Sequence, residues 1–407
     1  MIEKHTSNNG LRIVLEKIPS VRSVTIGVWV LTGSRNENDL TNGISHFIEH
    51  MFFKGTKTRT ATDIAEAFDS IGGQVNAFTS KEYTCFYAKV LDTHKEHALE
   101  ILADMFFNSS FDPDEMEREK KVVYEEIKMY EDTPDDIVHD LIARASYGNH
   151  PLGYPILGTE SHLKTFTPET LRAYINDQYI PENVVISVAG NVEKEFIYKV
   201  EDYFGHYESA TKKTDIIKPS FLSETIERHK ETEQAHLCIG YNGLSVDSNE
   251  VYSLIILNNV LGGSMSSRLF QEVREKRGLA YSVFSYHSSF LDNGLLTIYA
   301  GTGKEQLPLL KETIENTVET LVEKGLTDKE LRNSKEQLKG SLMLSLESTN
   351  SRMSRNGRNE LLLKRHRTLD QMIQEIDAVS HDSIKQVIEM TFGSNPPAAA
   401  LIAPKME

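Results

Sequence analysis

The stretch from Thr41 to Gly55, TNGISHFIEHMFFKG, constrains this chain more than any other. Ile44, Phe47, Ile48, Met51 and Phe52 recur at helical spacing, which predicts one short amphipathic helix with Thr41 as its N-cap and Gly55 at its stop. The opposite face carries His46, Glu49, His50 and Phe53, so two imidazoles and a carboxylate project toward one point. Two histidines one turn apart suit a tetrahedral zinc ion, and a carboxylate beside them that does not bind the ion can take a proton from water. With histidine at 14 of 407 positions, composition alone yields H-x-x-E-H in about one random chain in twenty to thirty. A third ligand is therefore needed to separate a metal site from ordinary polar surface.

A chain of 407 residues exceeds what one core normally organises, so two domains are expected. The formal net charge of −16 and the lack of any basic block exclude a nucleic-acid partner. Cys85 and Cys238 are the only cysteines, which is neither a disulfide framework nor a cysteine metal site and suits a reducing compartment. The apolar run from Val24 to Leu31 is too short to span a bilayer, and MIEKHTSNNG has no apolar core. These features predict a cytoplasmic protein with no membrane anchor.

In the first half, Leu11 to Lys17 and Val24 to Leu31 read as antiparallel strands. A helix from Ala61 to Ile71 ends at Gly72-Gly73, and QVNAFTSKEYTCFYAKV reads as a hairpin. The segment after Pro113, DEMEREKKVVYEEIKMYEDTP, predicts a helix with Val122, Val123, Ile127 and Tyr130 on one face. Glu119 and Glu126 share that apolar face, whereas Glu125 lies on a charged, solvated one. Carboxylates on an inward face need a cation or a hydrogen-bond network. Two explanations stand: buried salt bridges to arginine or lysine, or a zinc site of His46, His50 and Glu126 in which Glu119 orients a ligand histidine through its free ring N–H.

Periodicity fades between Glu208 and Pro219, which divides the chain into 1–208, a linker at 209–219, and 220–407. The second half repeats the order of elements: a strand at Ala235 to Tyr241, a loop with Gly243, and a helix from Glu250 to Leu261 that contains no histidine. The scaffold is duplicated and the metal site is not. Further on, a helix from Ser266 to Lys276 precedes a strand from Tyr281. Arg274 and Tyr281 offer a guanidinium and a phenol suited to carbonyl or oxyanion contacts, although such residues are common at helix ends and in strands. The fold class expected is α+β, two homologous domains that each pack helices on a largely antiparallel sheet.

With HFIEH, a glutamate at position 126, which lies 76 residues beyond His50, and the segments GSRNE, VNAFTS and REKRGLAY, the chain resembles the pitrilysin/insulinase-type inverted-motif zinc peptidases over essentially its whole length. It is similar to two-domain bacterial members and to the mitochondrial processing-peptidase β-subunit. The resemblance implies one zinc ion held by His46, His50 and Glu126, with Glu49 as general base and Glu119 supporting a ligand. It implies that the strand around Asn76 and Ala77 pairs with substrate backbone, and that Arg274 and Tyr281 contact the substrate near the scissile bond. The function expected is a zinc metalloendopeptidase that encloses unfolded or extended peptides between its halves as a clamshell, working as a homodimer. The alternative is a catalytically silent scaffold or assembly subunit of the same fold, against which the intact motif speaks.

Overall fold

Six segments rich in valine, isoleucine and other strand formers build the first sheet: β1 (Ile2–Thr6), β2 (Arg12–Lys17), β3 (Ser23–Val30), β4 (Gln74–Thr79), β5 (Thr84–Leu91) and β6 (Val184–Gly190). In this computed structural model, which describes residues 2–208, 216–393 and 395–405, they lie in the order β1-β2-β6-β3-β5-β4. All pairs are antiparallel except β2 with β6. The wholly buried pattern of β6 and nearly all of β3 means that both faces are covered. On one face Ile26, Val28, Ile186 and Val188 meet Phe47, Ile48, Leu99 and Leu102 from the helices Ile44–Met51 and Lys95–Asn108.

The second sheet contains β7 (Thr225–His229), β8 (Ala235–Asn242), β9 (Ser282–Ser289), β10 (Gly294–Thr302) and β11 (Ala398–Ala403) in the order β7-β11-β8-β10-β9. It too has a single parallel pair, β7 with β11. One face packs on the helices Val251–Leu261, Leu307–Lys324 and His381–Phe392. The α+β class and the repeated order of elements follow the sequence reading. Among the described residues, no helix is long and apolar enough to cross a membrane.

The chain forms two compact units, and they are not the contiguous halves expected from the sequence. One comprises Met1–Lys128, Pro155–Ile216 and Leu344–His366; the other Met129–Tyr154, Ile217–Met343 and Arg367–Glu407. Each half of the sequence lends a helix to the other half's sheet. The helix Thr349–Leu362 covers β2, β3 and β6: Thr349 Oγ1 lies 3.0 Å from Thr25 Oγ1, Trp29 Nε1 donates to Met353 Sδ at 3.2 Å, and Ser187 Oγ donates to the Met353 carbonyl at 2.8 Å. Pro134–Tyr147 covers β8 and β11 in the same way, with Ile137, Val138, Ile142 and Ala145 against Cys238, Ala398, Ala400 and Ile402. Local periodicity carries no information about which sheet receives a helix. Of the linker expected at 209–219, residues 209–215 lie outside the described residues.

Candidate metal centre

The helix Ile44–Met51 is fixed by its apolar side and by its start. Ile44, Phe47, Ile48 and Met51 are buried in the core of the first unit. Its N-terminus lies two residues later than the sequence suggested, and Thr41 is not the cap. Gly43 turns the chain with φ of +91°, in a space where a Cβ would come 2.7 Å from the Leu157 carbonyl oxygen. The capping carboxylate belongs to Glu37, which accepts from the Gly43 N–H at 2.8 Å, the Ser45 N–H at 2.9 Å and Asn42 Nδ2 at 2.9 Å. Burial pushes the Glu37 carboxyl up, against the pull of those donors.

His46 and His50 leave this helix side by side, with ring centroids 4.6 Å apart. Glu126, on the helix Pro113–Glu131, reaches both: Oε2 is 3.4 Å from His50 Nε2 and Oε1 is 3.8 Å from His46 Nε2. One ligand atom from each of the three residues falls within 4.8 Å of the others. Two donors on one tetrahedral zinc at ordinary bond lengths are separated by ~3.3 Å, so small side-chain shifts bring these three onto a common ion. His46 Nδ1 is buried without a hydrogen-bond partner. The donor set of two imidazoles and one carboxylate fits Zn2+.

Glu119 accepts from His50 Nδ1 at 2.8 Å through Oε1, while Lys54 Nζ lies 2.6 Å from its Oε2. Both explanations offered by the sequence therefore apply to this one carboxylate: it pairs with a lysine, and it commits Nδ1 of His50 so that Nε2 faces Glu126. Burial opposes ionisation of Glu119, but its bonds to His50 and Lys54 hold its pKa down. Burial likewise opposes charge on His50, yet Glu119 and Glu126 raise it to about 9. His46 is pushed down by burial and by His50. Val122, expected on the apolar face of this helix, is instead 52 % exposed, while Val123 is fully buried.

Glu49 is held from β4, where the Thr79 hydroxyl donates to its Oε2. Burial raises its pKa. Asn76 and Ala77 lie on the same strand, which is the edge of the sheet, and an exposed bond joins the Ala77 N–H to Asn76 Oδ1 at 2.8 Å. Sequence reasoning passed over Glu37, Lys54 and Thr79. Lys54 was within reach, since it follows His50 by one helical turn and so lies on its side. Glu37 and Thr79 act across turns that no periodicity encodes.

Arg274 and Tyr281 belong to the second unit. Arg274 sits in a π-helical turn, Phe270–Glu275, with its guanidinium 4.5 Å from the Tyr281 ring centroid.

Comparison with known proteins places the chain in a family. Residues 12–160 match the family model described as Insulinase (Peptidase family M16), and residues 165–338 match the one described as Peptidase M16 inactive domain. A Bacillus subtilis protein named "Uncharacterized zinc protease YmxG" is 63% identical over 404 residues, covering 99% of this chain and 98% of the relative. A Streptomyces coelicolor protein, also named a zinc protease, is 39% identical over 97% of this chain and 88% of its own length. In fold, the chain is similar to the crystal structure of a protease from Helicobacter pylori, with a TM-score of 0.91 at 24% identity over 99% of both chains. It is also similar to a Pseudomonas fluorescens structure described as a peptidase M16 inactive domain, with a TM-score of 0.93 at 19% identity over 100% of this chain and 98% of the other. Two histidines and a distant glutamate converging in one unit, within a chain matched along nearly its full length by relatives named zinc proteases, make this protein a two-domain member of the M16 (insulinase) peptidase family.

Proposed function

We propose that this chain is a zinc-dependent endopeptidase acting on unfolded or extended peptides. The observation that carries the reading is the convergence of His46, His50 and Glu126 with Glu49 beside them, in a family of zinc proteases. His46, His50 and Glu126 would hold one Zn2+, which when bound supplies a Lewis acid that polarises a carbonyl and makes water acidic.

Glu49 takes a proton from the attacking water and returns it to the leaving amine. Thr79 engages its Oε2, so the proton moves at Oε1. A carboxyl whose pKa burial has raised is better matched to such an exchange than an exposed one. Glu119, braced by Lys54, keeps His50 Nδ1 occupied and the ring oriented. The edge strand β4 receives the peptide backbone, with the Ala77 N–H exchanging Asn76 Oδ1 for a substrate carbonyl. Arg274 and Tyr281 donate to substrate oxygens from the second unit. An enclosed cavity between the halves, a homodimer and a cytoplasmic location complete the proposal. They rest on the resemblance and, for a reducing compartment, on Cys85 and Cys238 being free and buried.

Metal analysis of the purified protein together with a quenched-peptide assay tests the reading, using the wild type, Glu49→Gln and His50→Ala. The expected result is about one zinc per chain and cleavage by the wild type, loss of cleavage with zinc retained in Glu49→Gln, and loss of both in His50→Ala. A wild-type protein that holds zinc and cleaves no peptide would point to the silent-subunit alternative. Equal cleavage of a native globular protein and its unfolded form would remove the enclosed cavity.

A further inference from the structure

The Arg274 guanidinium is stacked on two aromatic rings. Its carbon lies 4.5 Å from the centroid of Tyr281 and 4.8 Å from that of Phe270. Phe270 and Arg274 stand four residues apart in a π-helical turn, Phe270–Glu275, in which the Lys276 N–H reaches back five residues to the Gln271 carbonyl. Widened turns of this kind are rare and concentrate at functional sites. Leu269 and Val273 are fully buried and anchor the turn in the core of the second unit. Phe270 is thus carried on a fixed element. Tyr281, at 78 % exposure, has little else to hold it.

Stacking satisfies the faces of the planar cation and leaves its N–H edges pointing outward. The nearest carboxylate, Glu275 Oε1, is 3.8 Å from Nε, beyond hydrogen-bond range. An unsupported arginine gives up much of its rotamer freedom when it binds, whereas one already stacked has given it up beforehand.

We infer that Phe270 is a positioning residue. It holds Arg274 flat against Tyr281 so that the guanidinium edge is preset for a backbone oxygen of the bound peptide. The inference rests on the proposed peptidase reading, in which Arg274 contacts substrate.

The test is a double-mutant cycle on peptide cleavage, combined with NMR of the arginine side chain. Phe270→Leu keeps most of the bulk and removes the π face. It should raise KM and lower kcat/KM about five- to tenfold with an unchanged melting temperature, and Phe270→Tyr should restore the wild-type value. In an Arg274→Ala background, Phe270→Leu should cost less than about twofold, because the group it positions is already gone. The same loss in both backgrounds, or no loss in either, overturns the inference.

The Arg274 side-chain protons, assigned by comparison with Arg274→Lys, should be shifted upfield by the two rings in the wild type and relax toward ordinary values in Phe270→Leu. Active protein without that shift overturns the positioning role and leaves the peptidase reading intact. The shift in a protein that cleaves no peptide keeps the stack but overturns the peptidase reading, and the positioning role with it.

Discussion

Gly357 lies so close to the indole of Trp29 that a Cβ built on it would come within 2.3 Å of Nε1. The counterpart contact is Gly27, where a Cβ would meet Met353 Sδ at 2.3 Å. The exchanged helix and the first sheet thus interlock through two absent side chains, one on each partner. Gly357→Ala should destabilise the protein by about 1–3 kcal/mol, since a fully buried tryptophan has nowhere to retreat. Thermal unfolding measures this, and an unchanged melting temperature would mean that the helix sits farther from the sheet than described.

A fragment ending at residue 208 contains all six strands of the first sheet but lacks the helix Thr349–Leu362. It leaves Trp29, Thr25 and Ser187 without their partners, and Glu16 without Arg352 and Asn356. The fragment should show no cooperative unfolding by near-ultraviolet circular dichroism. Supplying residues 344–366 as a separate peptide should restore it. A fragment that melts sharply alone would contradict the exchange.

Glu119→Gln should weaken zinc binding about 10–100-fold, the usual cost of losing the partner of a ligand histidine. Lys54→Met should have a smaller effect in the same direction, because Glu119 keeps its bond to His50. Competition with a chromogenic chelator measures both. Unchanged affinity in Glu119→Gln would deny this carboxylate any part in orienting His50.

Burial alone would raise the Glu330 carboxyl, but a two-pronged bond from Arg268 at 2.8 Å and the Thr327 N–H at 2.8 Å hold it down to about 2. A folded-state pKa below the ordinary 4.5 means that this group stabilises the fold at neutral pH. The contribution fades as the pH falls from about 4.5 through about 2. Glu330 is partly solvated, so about 1–2 kcal/mol is expected after screening. Urea titrations of wild type and Glu330→Gln should differ by that amount at pH 7 and converge progressively below about pH 4. A gap that stays constant on acidification would assign the effect to packing.

The candidate metal centre was legible because its pieces obey helical geometry. His46 and His50 share a face by spacing alone, and Glu126 stood out as a carboxylate on an apolar face. Phe47, Ile48 and Val123 are buried as periodicity predicts. What sequence reasoning missed depends on chain segments meeting at a distance. Glu37 caps the helix from across a turn, Thr79 reaches Glu49 from the strand β4, and Val122 is exposed where Val123 is buried. Phe270 was within reach as Lys54 was, since it precedes Arg274 by four residues in the helix expected over Ser266 to Lys276, although the turn that carries both is π-helical. The domain division failed where each half contributes a helix to the other, because amphipathicity says that a face will be covered and not by what.

Trp29 and Met353, which touch in the folded protein, are 324 residues apart in the chain. At translation rates of ~5–20 residues per second, roughly 16 to 65 seconds pass between the emergence of one and the other. Once β6 has followed, the first sheet is complete in its strands while the helix that covers the Trp29 face is still to come.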